Sequence, residues 1–315
     1  MPGPVARIAS GVLVAALLAA TVVAFVYTEK LKLTKSPITG TLVDKVFSPV
    51  CDCDTASARI TFRLRRPDVI DADIVDGHGE VVRELVRSRA QGAGRAFLVW
   101  DGRGESGAVV PEGSYRPRIR LRRERRTITL PNPIVVDVTP PVVERYAVAP
   151  RVISPDGDGR RDAALARYRL SERAQAMLYV DGQREIVKRG TRRESTIRWP
   201  GPIDGEPAPK GLYRLTLRAV DLAGNASLRS RPAVVRVRYV ELGRSRIEVE
   251  PGGRFAVLVV TDAPTVRWRL AGRTGTARRG TLRLTAPEAV GRHALVVSAN
   301  GHAARAAVVV REPGP

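Results

Sequence analysis

Two stretches decide the fold: Val99–Ile119, VWDGRGESGAVVPEGSYRPRI, and Arg198–Leu217, RWPGPIDGEPAPKGLYRLTL. Each runs from a Trp through a turn-rich loop to Pro-x-Gly-x-Tyr-Arg and then into an alternating segment. Trp100 aligns with Trp199, Tyr115 with Tyr213, and Pro111–Arg116 with Pro209–Arg214. Apolar residues at every second position mark a strand with one buried face. The two Trp–Tyr pairs are predicted to be core: a large ring fills the space between two sheets, and the tyrosine hydroxyl reaches backbone near an edge.

The likeness extends upstream. Val46-Phe47-Ser48-Pro49 matches Val152-Ile153-Ser154-Pro155, and both are followed by closely spaced acids. Each half then has an alternating strand, a short polar link and a second strand ending in Val-Asp-Gly, at Val75–Gly77 and Val180–Gly182. Asp-Gly between strands predicts a tight hairpin, because a type I′ turn needs positive φ at both central residues. About seven short strands per unit with turns between them predict an antiparallel β-sandwich, written twice. Thr139-Pro140-Pro141 separates the copies, since consecutive prolines stop a strand. The segment from 242 onward alternates but lacks the Ser-Pro-acid opening, so it is predicted to be a divergent β-sandwich. The expected fold is all-β, with tandem Ig-like or fibronectin-like sandwiches at 37–138, 139–241 and 242–315 behind an N-terminal segment, 1–36.

SPDGDGRRD, the VDG hairpins, the block WDGRGESGAVVPEGSYRPRI and the run LYRLTLRAVDLAGNAS together resemble the Ig-like domain of the flagellar hook-capping (FlgD-type) family. The resemblance covers about 45–138 and 150–240; the second unit departs from it at Pro200, where the first has Asp101. It implies extracytoplasmic sandwiches used in adhesion, spacing or assembly, and no catalysis.

Ile8–Tyr27 carries no charge. About 20 apolar residues span a bilayer as a helix, longer than the usual hydrophobic stretch of a cleaved signal. A transmembrane anchor at 8–27 is therefore expected, with cleavage after Ala24 as the alternative. The flanking Arg7, Lys30, Lys32 and Lys35 taken alone lean toward a cytoplasmic C-terminus. The domain type argues for the opposite orientation, with the bulk of the chain extracytoplasmic.

The chain has 315 residues and a net charge of +21, and only 5% of it is aromatic, so its cores must be aliphatic. RPRIRLRRERRTITL alternates Arg with apolar residues, which places the excess charge on the solvent faces of strands. Nucleic acid is not an expected partner; other envelope proteins or anionic polymers are.

Asp156, Asp158 and Asp162, interleaved with Gly157 and Gly159, form a candidate calcium loop, since hard cations take several oxygen ligands. The twelfth position from Asp156 is Arg167 rather than Glu, so the loop is no EF-hand, and Arg160 and Arg161 oppose a cation. The competing reading is a turn shaped by Asp and Gly. The matching loop of the first unit holds Cys51 and Cys53, the only two cysteines, which are expected to form a tight disulfide in an oxidising compartment. Zinc is disfavoured for lack of four ligands. His78, His293 and His302 have no partner motif, and no nucleophile elbow or phosphate loop appears, so no enzyme activity is expected. Asn225-Ala226-Ser227 fits a glycosylation sequon but reads first as a turn. The expected role is structural or adhesive. The alternatives are binding of anionic envelope polymers or polysaccharide, and an accessory part of an envelope complex.

Overall fold

The computed structural model of the chain describes residues 13–26 and 36–312. Residues 13–26 form a helix, α1, and among the described residues no helix is long and apolar enough to cross a membrane. The rest of the expected span, 8–12 and Tyr27, lies outside the described residues, as do Arg7, Lys30, Lys32 and Lys35.

The chain divides into two compact units, Met1–Pro49 with Ser57–Val136, and Val50–Ala56 with Asp137–Pro315. Among the described residues the first unit holds nine strands: β1 (Ile38–Val43), β2 (Val46–Phe47), β3 (Ala58–Leu64), β4 (Asp68–Val75), β5 (Val81–Gln91), β6 (Gly94–Trp100), β7 (Gly113–Leu121), β8 (Arg126–Thr129) and β9 (Ile134–Val136). One sheet has the order β1-β3-β6; the other runs β2-β9-β7-β4-β5, with β8 also on β7. The short β2 pairs with β9 in parallel, and the other pairings are antiparallel. Three strands facing a C′-C-F-G sheet with an added A′ strand is the Ig and fibronectin plan.

The second unit repeats this order twice. Its first sandwich holds β10 (Val143–Ala149), β11 (Val152–Ile153), β12 (Ala164–Val180), β13 (Gln183–Val187), β14 (Arg192–Trp199), β15 (Gly211–Val220) and β16 (Ala233–Val237). Strand β12 serves both sheets: Ala164–Leu170 lies between β10 and β14, and Gln175–Val180 pairs with β15 and, over its last residues, with β13. In the first unit Pro67 separates the equivalent β3 and β4, whereas Ser171-Glu172-Arg173 has no proline and the backbone runs on through an irregular register. Next come β17 (Glu241–Leu242), β18 (Arg246–Val249), β19 (Arg254–Val260), β20 (Thr265–Leu270), β21 (Arg273–Arg278), β22 (Gly280–Thr285), β23 (Gly291–Ala299) and β24 (His302–Val310). Their orders, β17-β19-β22 and β18-β24-β23-β20-β21, match the other two sandwiches, down to a parallel A′–G pair between β18 and β24. The segment that looked divergent in sequence is thus the same sandwich without the aromatic motif. Tyr239 packs in the core of the middle sandwich and Val240 in that of the last, so the junction falls one or two residues before the expected boundary at 242.

Strand alternation builds the cores. In β7, Tyr115, Pro117, Ile119 and Leu121 are buried while Arg116 and Arg120 are exposed, which places the arginines on the solvent face as their spacing predicts. Arg118 on that face pairs with Asp73 at 3.1 Å, and Arg122 beyond the strand pairs with Asp71 at 2.8 Å. The hydrogen bond from Arg122 is the main reason that the Asp71 carboxyl lies below its ordinary range.

The two hairpins differ. Asp181 and Gly182 have φ of 47° and 93°, the expected tight turn. The first unit departs from it: its loop closes from Asp76 to Glu80, and the positive φ falls on Gly79. The cause is the Asp76 side chain, whose Oδ1 accepts the N–H groups of His78 and Glu80 and so stabilises a longer turn.

The expected core aromatics are in place. Trp100 and Trp199 are fully buried. Each indole donates to a carbonyl three residues on, Arg103 at 3.1 Å and Pro202 at 3.2 Å. Tyr115 donates to the Pro111 carbonyl at 2.8 Å and Tyr213 to that of Pro209 at 2.7 Å. Each Trp–Tyr pair meets edge to face, with centroids 5.2 and 5.5 Å apart.

Two residues after each Trp, Gly102 (φ 72°) and Gly201 (φ 99°) lie under the proline of the Ser-Pro pair. A Cβ there would come within 2.7 Å of Pro49 and 2.5 Å of Pro155. By contrast Gly107 (φ 78°) faces open space. Gly107→Ala should therefore cost only the backbone strain, about 1–2 kcal/mol. Gly102→Ala should cost a further ~1–3 kcal/mol for displacing Pro49, and urea unfolding of the two variants measures the difference. Trp199→Ala should destabilise the second unit by about 3–5 kcal/mol, read as an early transition in calorimetry.

Candidate functional site

The two Ser-Pro loops follow the A′ strands β2 and β11, and both pack against an F–G turn. Loop Val50–Ala56 belongs to the second compact unit. Cys51 and Cys53 form a disulfide, with Cα atoms 5.3 Å apart. Thr55 Oγ1 donates to the Ala223 carbonyl at 2.6 Å, in the loop between β15 and β16. A Cβ on Gly224 (φ 100°) would collide with Cys53 Sγ and lie 2.6 Å from Thr55 Oγ1, so only glycine lets the turn approach this closely. In the same turn Asn225 is buried and its side-chain amide donates to the Asp137 carbonyl and to Asp221 Oδ2, both at 2.9 Å, so the sequon is a structural turn.

The loop after β11 makes the matching contact. Asn300, in the turn between β23 and β24, donates its side-chain amide to Asp158 Oδ2 at 3.2 Å. Nearby, His302 stacks on Tyr239 with ring centroids 3.6 Å apart, and Tyr239 donates to the Ala208 carbonyl at 2.8 Å. The other histidines have simpler places: His78 is at the exposed hairpin tip, and His293 contacts the Ala289 carbonyl at 2.8 Å.

Of the three acids singled out by sequence, Asp162 shapes the loop. Its oxygens accept the N–H groups of Gly157 at 3.0 Å and Gly159 at 2.8 Å. Asp156 accepts the Ser154 hydroxyl at 3.1 Å, and Asp158 accepts the Arg160 N–H at 2.8 Å. In the first Ser-Pro loop Val50 stands where the second has Asp156, and the Ser48 hydroxyl is buried with no partner among the described residues.

The acid that joins Asp156 and Asp158 is Asp262, from the corner between β19 and β20; carboxylate oxygens of the three lie within 4.8 Å of one another. Both Asp262 oxygens are closed to solvent and neither has a hydrogen-bond partner of good geometry. Burial, reinforced by the charges of Asp156 and Asp158, pushes its carboxyl above the ordinary range, and the nearby Ser154 hydroxyl offsets this only in part. A cavity of about 160 Å³ adjoins it, lined also by Arg160, Arg161, Arg238 and Arg279. Among the described residues none of these arginines forms an ion pair with Asp262; Arg279 donates to its backbone carbonyl at 3.2 Å. The set is all oxygen, which suits calcium or magnesium rather than zinc. Sequence reasoning missed Asp262, although an Asp directly after the apolar run FAVLVVT is a visible signal.

The first unit offers a different surface. On the outer face of the β1-β3-β6 sheet, Leu42 and Phe97 flank Thr61 in register, and Val99 pairs with Arg59. Leu42 is 69% exposed, Phe97 67% and Val99 48%. Arg59, Arg63 and Arg95 share that face.

No protein-family model matches the chain. No curated protein matches it either. Among solved structures it is similar to the fibronectin(III)-like modules of CbhA from Clostridium thermocellum, at 16% identity over 63% of this chain and 94% of that one, with a TM-score of 0.35. It is also similar to a three-Ig segment of titin, at 11% identity over 89% and 100% of the two chains, with a TM-score of 0.30. A third likeness is to a bacterial ice-binding adhesin, at 12% identity over 89% and 100%, with a TM-score of 0.25. These scores are low, and the Ig-like assignment rests on the strand orders.

The raised carboxyl of Asp262 has a pH consequence. The folded state holds this proton more tightly than the unfolded state does. Its contribution to stability is therefore full at low pH and is lost as pH climbs through the folded value. In chelator near pH 7, Asp262→Asn should melt above wild type, and the difference should vanish as pH falls to about 4, the ordinary carboxylate value; melting temperature against pH measures it.

Proposed function

We propose that the chain is a structural or adhesive protein that presents tandem FlgD-type Ig-like modules outside the cytoplasm, held at a membrane by the apolar segment 8–27. The observation that carries the interaction role is the outer face of the β1-β3-β6 sheet. A monomer gains nothing by exposing Leu42, Phe97 and Val99 side by side, and such patches mark interaction surfaces. The partner is another envelope protein. The lack of charge from Ile8 to Tyr27 supports the anchor.

A second reading, binding of anionic envelope polymer, is favoured by Arg59, Arg63 and Arg95 on that face and by the net charge of +21. Salt separates the two readings, since exposed charges are screened within about 10 Å at 0.1 M.

Protease added to intact cells should remove the sandwich region, and its full protection would overturn the extracytoplasmic placement. In pull-downs from envelope fractions, Phe97→Ser with Leu42→Ser should abolish capture of a protein partner while shifting stability by no more than about 0.5 kcal/mol. If capture survives those changes but disappears between low and high salt, the polymer reading stands in its place.

A further inference from the structure

We propose that Asp156, Asp158 and Asp262 together bind a calcium ion that ties the middle sandwich to the last. The inference rests on where the carboxylates lie and does not depend on the membrane reading.

Three formal negative charges gather with oxygens within 4.8 Å of one another. Two come from the loop after β11 and one from the β19–β20 corner, so the group exists only where the two sandwiches meet. Like charges gathered in a part-buried cluster repel one another unless a counter-charge sits among them. The protein supplies little of that charge at the deepest member: Asp262 has two enclosed oxygens and no donor of good geometry, although four arginines line the adjoining cavity. A carboxylate whose two enclosed oxygens have no donor of good geometry, and which faces two other carboxylates, offers a hard cation a ligand.

The chemistry selects the ion. All donors are oxygen, so thiophilic and imidazole-seeking metals are disfavoured. Calcium takes six to eight oxygens in irregular geometry, whereas magnesium demands a near-ideal octahedron and sheds water reluctantly. The Asp156–Asp162 loop bends at Gly157 and Gly159, and Asp162 fixes it by accepting the N–H groups of both glycines, so Asp162 is spent on the loop and the irregular set left to Asp156, Asp158 and Asp262 suits calcium. Asp156 and Asp158 each accept hydrogen bonds but retain unused lone pairs. The cavity of about 160 Å³ beside Asp262 has room for coordinating water.

A second group of acids gives an internal contrast. Asp137, Glu172 and Asp221 also approach within 4.8 Å. There, however, Asp221 accepts the N–H groups of Gly224 and Asn225 and the Asn225 amide, so its charge is already matched.

The test is calcium titration of the full chain after chelator treatment, followed by calorimetry. At about 1 mM calcium, the range of extracellular modules, the transition of the second unit should rise by about 3 °C. Magnesium at the same concentration should give less than half of that. Asp262→Asn and Asp158→Asn should each weaken calcium binding by about tenfold or more, while Glu172→Gln should leave it unchanged. Asp262→Asn should also melt higher than wild type in chelator, which shows that it folds. No calcium-dependent shift in the wild type would overturn the proposal. So would a shift that persists undiminished in Asp262→Asn, or one that moves with Glu172→Gln.

Discussion

In the first two sandwiches the fold hangs on an indole that has to be both buried and hydrogen-bonded. Trp100 and Trp199 fill the gap between sheets, and each N–H must find an acceptor because an unpaired buried donor is costly. The nearest backbone able to reach it is the chain immediately following, which must therefore turn back, to the carbonyls of Arg103 and Pro202. That turn needs a glycine in the left-handed region, and the glycine in turn lets the Ser-Pro proline lie flat upon it. The Pro-x-Gly-x-Tyr segment closes the arrangement, with the ring set edge-on to the indole. The motif elements that recur in the two repeats are the parts of this one packing problem.

The last sandwich solves it differently. Its core is aliphatic, built on Val257, Val259, Leu282, Leu295, Val297 and Val308, with Trp268 only partly buried at its margin. No indole needs an acceptor at the centre, so neither the Trp-x-Gly turn nor the Ser-Pro loop is required. The strand order survives because it follows from two sheets with period-two apolar faces and short connections, which many sequences satisfy.

Placed side by side, the loops VFSPVCDCDTA and VISPDGDGRRD do one job by two means. Each presents a shaped edge to an F–G turn: Ala223-Gly224 against the cysteine loop, and Asn300 against Asp158. A disulfide across one intervening residue stiffens the first loop; Asp162 gathering two glycine N–H groups stiffens the second. With Val50 where the second loop has Asp156, the first loop lacks that acid, and its Ser48 hydroxyl has no partner among the described residues.

Taken by itself, the sequence determined the class of fold, the repeat, the buried Trp–Tyr pairs and the outward-facing arginines of strands such as β7. These depend on residues close in the chain, where period-two spacing and turn residues speak directly. It also marked the Asp156–Asp162 loop and the cysteine pair as special. Only the tertiary structure decided which acids meet. Asp158 and Asn300 are 142 positions apart, and Thr55 and Ala223 are 168 apart. No local pattern encodes such contacts, because they join residues far apart in the chain. For the same reason Asp162, adjacent in sequence, serves the backbone of its own loop, while Asp262, far off in sequence, completes the carboxylate cluster.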